Sequence, residues 1–125
     1  MTLARRTRPK MRQDAPRTEY KRHQAFVRKH ECIVPRCATG MRIECCHVRK
    51  GLPANTPSWA RAGKDMRPHD AFCFSGCLIH HAEQHNIGEA TFAKNYRINL
   101  LREALDLARR SPCEEVRMFV RDLKL

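Results

Sequence analysis

The sequence predicts a small α+β domain stapled by zinc. Three observations lead there. Two short apolar segments flank a turn before residue 50, helical periodicity runs through the last third, and seven cysteines and seven histidines occur in 125 residues. A chain of this length buries a modest core, and bound metal is a common remedy. An odd number of cysteines does not close into a disulfide framework. No Cys-x-x-Cys is present, which argues against a thiol redox protein.

The elements follow in order. Residues 1–22 carry Arg5, Arg6, Arg8, Lys10, Arg12, Arg17, Lys21 and Arg22 with few apolar residues. They read as a basic arm, either a phosphate contact or a solubilising end, ahead of a domain over 23–125. Tyr20, Ala25, Phe26 and Val27 suit a short helix over 20–30. Glu31–Val34 and Arg42–Val48 read as two strands of a hairpin, with turn chemistry over Pro35–Gly40. Period two puts Ile43, Cys45 and His47 on one face.

Residues 49–70 are a long loop broken by Pro53, Pro57, Pro68, Gly51 and Gly63. Such loops are usually functional or disordered. Arg49, Lys50, Arg61, Lys64 and Arg67 make it a candidate DNA-facing loop. A helix is expected from Leu78 to His85, and a second from Glu89 towards Arg110, which Asn95 or Asn99 can interrupt. Leu101, Leu105 and Ala108, widened by Leu100 and Leu107, form its apolar stripe. Ser111 as N-cap, Pro112 at the first position and Glu114 completing a capping box then start a last helix. Its Val116, Phe119, Val120 and Leu123 should pack on the domain or a second copy.

Charge narrows the partner. Twenty-five Lys and Arg against thirteen Asp and Glu give a net charge of +12, which favours a polyanion. The opening residues hold no apolar run of signal-peptide or membrane-span length, so the expected setting is the cytoplasm, with reduced thiols and no membrane.

The chemistry lies in Cys32-x4-Cys37, His47, and Cys77-x2-His80-His81-x3-His85. Thiolate and imidazole are zinc's preferred ligands, and structural sites take four. On a helix His80 lies about 60° from Cys77, so both can share an ion. His81 and His85 lie one turn apart on a different face. The economical assignment is two sites: Cys32, Cys37, Cys77 and His80 on a structural zinc, and His81 with His85 on a second, open divalent ion. Among the remaining residues, Cys73 is a rival zinc ligand, Cys45 a buried small hydrophobe and Cys113 a bystander. His69 reads as a loop histidine, Trp59 as a packing residue, and His23 and His30 as surface residues.

These residues together resemble a known family. Cys46-His-Val-Arg49, Lys64 to Asp70, Cys77-Leu-Ile-His-His-Ala-Glu-Gln-His85 and Ile87-Gly-Glu-Ala-Thr-Phe92 resemble the HNH (ββα-metal) endonucleases. The likeness is greatest to small phage and prophage proteins related to the phage recombination-enhancement nuclease, over residues 20–96. The resemblance implies a ββα-metal core with additional C-terminal helices. It also implies DNA phosphodiester cleavage leaving 5′ phosphate, and a bacterial host. His47 would be the general base, and Asp70 would stand where the middle Asn orients it. His81 and His85 would hold a catalytic Mg2+, Mn2+ or Zn2+. An acidic residue or His commonly precedes the base; here it is Cys46, which leaves the third ligand open among Asp70, Cys46 and water. A recombinase filament is a candidate partner. The alternative reading is a non-catalytic zinc module that binds nucleic acid, with one closed metal site.

Overall fold

The computed structural model describes residues 16–63 and 66–125, which form a small α+β fold with a two-stranded antiparallel sheet and five α-helices. Residues 1–15 of the expected arm, and Lys64, lie outside the described residues.

The sheet pairs β1 (Ile43–His47) with β2 (Cys73–Cys77), in register from Ile43↔Cys77 to His47↔Cys73. The expected hairpin partner, residues 31–34, is not a strand. It touches β2 through the amide of Ile33, which donates to Ser75 O at 2.8 Å, and through Ser75 Oγ, which donates to Glu31 O at 2.7 Å. The chain then turns away through Pro35 and Arg36, whose φ of 60° is left-handed. That turn carries Cys37 towards Cys32, so ligand placement overrides the ladder. β2 itself, Cys-Phe-Ser-Gly-Cys, is poor in β-branched residues, and the sequence assigns it no element. Its glycine is required by packing: a Cβ at Gly76 would lie 2.8 Å from the Cys46 sulfur on the facing strand.

Helix α1 (Lys21–Arg28) packs on both strands and buries His23 and Val27. The expectation of His23 at the surface is therefore corrected. Its Nδ1 pairs with Ser111 Oγ at 2.8 Å, and both side chains are buried. The same bond explains why Ser111 does not cap the last helix. That helix, α5 (Glu114–Asp122), starts two residues later with Cys113 at its N-cap, and Ser111 Oγ instead accepts from the Cys113 amide at 3.0 Å. Residues 18–22, read as the end of the arm, are also docked: Asp70 N donates to Thr18 O at 2.9 Å.

Helix α2 (Leu78–Ile87) follows β2 directly and stops at Gly88, where φ is 89°. The long helix expected from residue 89 is two helices, α3 (Glu89–Tyr96) and α4 (Leu100–Arg109). Arg97 ends α3 in a left-handed conformation, and Asn99 caps α4 by accepting from Arg102 N at 2.9 Å. Asn95 stays inside α3. Phe72, Phe74 and Phe92 join Leu105, Val116 and Val120 in the main core. Among the described residues of the loop over 48–72 are two 3₁₀ turns, Ser58–Ala60 and Asp70–Phe72. Trp59 packs as expected, edge-on to Phe119 with centroids 5.8 Å apart. No helix among the described residues is long and apolar enough to cross a membrane.

Candidate metal centre and active site

The knuckle over residues 32–37 and the start of α2 converge on one point. Cys32, Cys37, Cys77 and His80 bring their ligand atoms within 4.8 Å of one another. His80 Nδ1 lies 3.4, 3.5 and 3.2 Å from the sulfurs of Cys32, Cys37 and Cys77, and the Cys37 and Cys77 sulfurs are 3.9 Å apart. A tetrahedral zinc with ordinary bond lengths separates two sulfurs by about 3.8 Å and a sulfur and a nitrogen by about 3.6 Å. The four residues thus fit a zinc-sized ion. Burial pushes the Cys32 thiol up to about 11, while hydrogen bonds from Thr39 lower Cys37, so an ion has to displace protons to bind.

His81 and His85 form a second pair, on the next face of α2. Their Nε2 atoms are 3.2 Å apart. Two nitrogens about 2.1 Å from a shared ion lie about 3.0 Å apart at an octahedral angle and about 3.4 Å at a tetrahedral one. The other nitrogen of His81, Nδ1, donates to Glu44 Oε1 at 2.8 Å, which leaves Nε2 as the lone-pair atom. That bond also holds the Glu44 carboxyl below its ordinary value. Glu44 was missed in the sequence. It sits three residues before His47, and no spacing rule tied it to a helix 37 residues away.

His47 makes a different set of contacts. Alternation along β1 places Cys45 and His47 against α1, and Glu44 on the side of α2. The imidazole of His47 is paired with Asp70. Its Nε2 pairs with Asp70 Oδ1 at 2.9 Å, with side chains 9% and 1% exposed. Its backbone carbonyl accepts from Gln84 Nε2 of α2 at 3.3 Å. Asp70 Oδ2 accepts from the Tyr20 amide at 2.7 Å and from Gln24 Nε2 at 2.8 Å. Burial opposes the charge on Asp70, but these bonds and the one from His47 outweigh it and hold the carboxyl below its ordinary value. A carboxylate only accepts, so Nε2 of His47 carries a proton, and in the neutral imidazole Nδ1 is then the lone-pair atom.

Among the described residues, no cluster of three or more metal-ligating side chains joins His47 or Asp70 to His81 and His85. Cys46, the other candidate ligand, is fully buried in the core. Cys73, the expected zinc rival, belongs with His47 and Asp70 instead of the knuckle. His69 is a buried residue, not a plain loop histidine, and His30 is half-buried against Phe26.

The loop cations divide. Arg67 is exposed, as is Arg49, whose side chain bonds Met66 O at 3.4 Å. The amides of Arg49 and Lys50 are clamped by the Glu89 carboxylate at 2.8 and 3.3 Å, which fixes the root of the loop. Arg61 is spent internally: its guanidinium donates to Thr56 O at 3.1 Å, Pro53 O at 3.0 Å and Ala54 O at 3.3 Å. It braces the loop and is withdrawn from the set of free cations.

No family model, curated protein or solved structure matches this chain.

Proposed function

We propose that the chain is a zinc-stapled, metal-dependent DNA endonuclease of the HNH type, with a ββα-metal core formed by β1, β2 and α2. The observation that carries this reading is the close placement of two chemistries on one strand. β1 offers Glu44 to His81 on one face and ends in the His47–Asp70 pair on the other. Gln84, the residue before His85, touches the backbone of His47. A phosphate lying across this strand end would reach both.

His81 and His85 would hold the divalent ion, which supplies Lewis-acid stabilisation of phosphate charge and of the departing 3′ oxygen. Glu44 orients His81. Asp70 fixes the tautomer of His47, whose Nδ1 takes the proton from an attacking water and leaves hydroxide to attack phosphorus. Arg49, Lys50 and Arg67, with the basic arm, hold the backbone without reading sequence. A recombinase filament is the candidate partner and the bacterial cytoplasm the setting.

The knuckle alone would also suit a non-catalytic nucleic-acid-binding module, but such a module has no use for a His–Asp pair. A supercoiled-plasmid nicking assay with Mg2+ or Mn2+ separates the two, repeated on DNA carrying a recombinase filament. His47→Ala should keep the fold, the knuckle zinc and DNA binding, yet lose about 10²–10⁴ in cleavage rate. His85→Ala should also lose cleavage, with partial rescue by raised metal. Wild-type activity retained in His47→Ala would end the mechanism.

A further inference from the structure

The nuclease reading leaves one buried thiol unexplained. Cys73 is completely buried beside the His47–Asp70 pair, and the ligand atoms of the three residues lie within 4.8 Å of one another. We propose that His47, Asp70 and Cys73 form a further metal site, selective for a thiophilic divalent ion such as Zn2+, and that its occupation switches off His47.

The donor set decides the class of ion. One thiolate, one imidazole and one carboxylate suit Zn2+ or Co2+ and do not suit Mg2+, which prefers oxygen and keeps its waters. The spacing is close to what such an ion needs. Cys73 Sγ lies 3.8 Å from Asp70 Oδ1, and His47 Nε2 lies 2.9 Å from the same oxygen. A tetrahedral zinc would set these at about 3.5 and about 3.3 Å, so these two contacts have to change by less than about half an ångström, and the third pair, Cys73 and His47, lies within 4.8 Å. Asp70 is already positioned as a one-oxygen ligand, because its Oδ2 is held by Tyr20 N and Gln24 Nε2. Cys45 packs against the buried cluster that contains Cys73 and is left out of the ligand set.

Proton balance gives the functional consequence. Binding releases one proton, from the Cys73 thiol. His47 stays neutral but changes tautomer: the ion takes the Nε2 lone pair and the proton moves to Nδ1. The site then holds Zn2+ against one carboxylate and one thiolate, with no net charge. Nδ1 is the atom that accepts the water proton in the proposed mechanism, so a metal-loaded site cannot act as base. This consequence rests on the nuclease reading; the metal site itself does not.

The test adds Co2+ to protein whose knuckle is already filled with zinc, with zinc content measured throughout. His81 and His85 hold no sulfur, so cobalt there gives no thiolate-to-cobalt absorption. Wild type should develop that near-ultraviolet absorption with one further cobalt per chain, and Cys73→Ser should lose it. Cys73→Thr, of similar volume, is run beside it, and if neither variant folds the wild-type spectrum alone decides. No thiolate absorption in wild type, or absorption that survives both substitutions, overturns the site. On active protein, excess Zn2+ should slow cleavage at least tenfold, and Cys73→Ser should escape. Cobalt absorption without inhibition keeps the site and counts against His47 as the base, which separates the two failures.

Discussion

The ring of His69 lies flat on Phe119, with centroids 3.7 Å apart and planes within 7°. Its Nδ1 accepts from the Ala71 amide at 3.0 Å and so caps the turn that carries Asp70. A protonated imidazole has no acceptor to offer, so charging His69 would break that cap. His23, paired with Ser111 under α1, is buried in the same way.

Both imidazoles are pushed down to about 4, by burial above all. In the unfolded chain they titrate at the ordinary value of about 6.5. A folded value below the unfolded one means the stabilising contribution is complete above pH 6.5 and is lost as pH falls towards 4. By proton linkage the loss at pH 4 is on the order of 3 kcal/mol for each histidine. Denaturant midpoints measured with zinc present should fall across that window. His69→Asn, which keeps an acceptor for Ala71, should flatten the fall. An unchanged slope in that variant would show that neither burial nor the cap governs it.

Asp70→Asn tests the tautomer argument. Tyr20 N and Gln24 Nε2 both donate to Oδ2, so an amide at this position turns its oxygen towards them and its NH2 towards His47. His47 must then accept at Nε2 and carry its proton on Nδ1. Folding and knuckle zinc should survive, while cleavage falls about 10²–10⁴-fold, the usual scale for losing a general base. Full activity in this variant would mean Asp70 does not set the tautomer.

Zinc removal should unfold the domain, because the binding energy of a structural metal site is folding energy. Cys37→Ser or Cys77→Ser should give molten or insoluble protein, and a strong chelator should do the same to wild type. Circular dichroism beside metal analysis reads this directly. Either variant folding with a full zinc complement would remove that cysteine from the site.

Arg61 and Arg67 should separate cleanly. Arg61→Ala removes the guanidinium from three carbonyls, of which Pro53 O keeps the Thr56 amide, and should cost about 1.5–3 kcal/mol of stability, the range for hydrogen bonds to a charged group, with little change in the salt dependence of DNA binding. Arg67→Ala should leave the melting temperature unchanged and reduce the salt slope by about one unit. The reverse pattern would return Arg61 to the DNA surface.

Legibility in the sequence followed the range of the interactions. The knuckle was readable because Cys32-x4-Cys37 and Cys77-x2-His80 are local spacings set by a turn and a helix. The His81–His85 pair was readable for the same reason. What the sequence hid depended on distant partners. β2 was missed because Gly76 is there for the Cys46 sulfur across the sheet. His23 passed for a surface residue because its partner, Ser111, lies 88 positions away. Arg61 looked like any other loop cation until its carbonyl partners were in place. Strand parity placed Cys45 with His47 correctly, but it could not say which face the histidine helix would take.

The register of the sheet carries a consequence for the order of folding. β1 and β2 are separated by the loop over 48–72, so pairing them directly means closing that loop first, at an entropic cost. The pair at one end, Ile43↔Cys77, contains a zinc ligand, and the pair at the other, His47↔Cys73, contains the proposed base. An ion held by Cys32, Cys37, Cys77 and His80 would fix the first pair, and the strands would then close towards His47. The metal cluster and the proposed base thus stand at opposite ends of one five-residue ladder. A chain that has not taken up its metal should therefore lack the paired end of the sheet that carries His47.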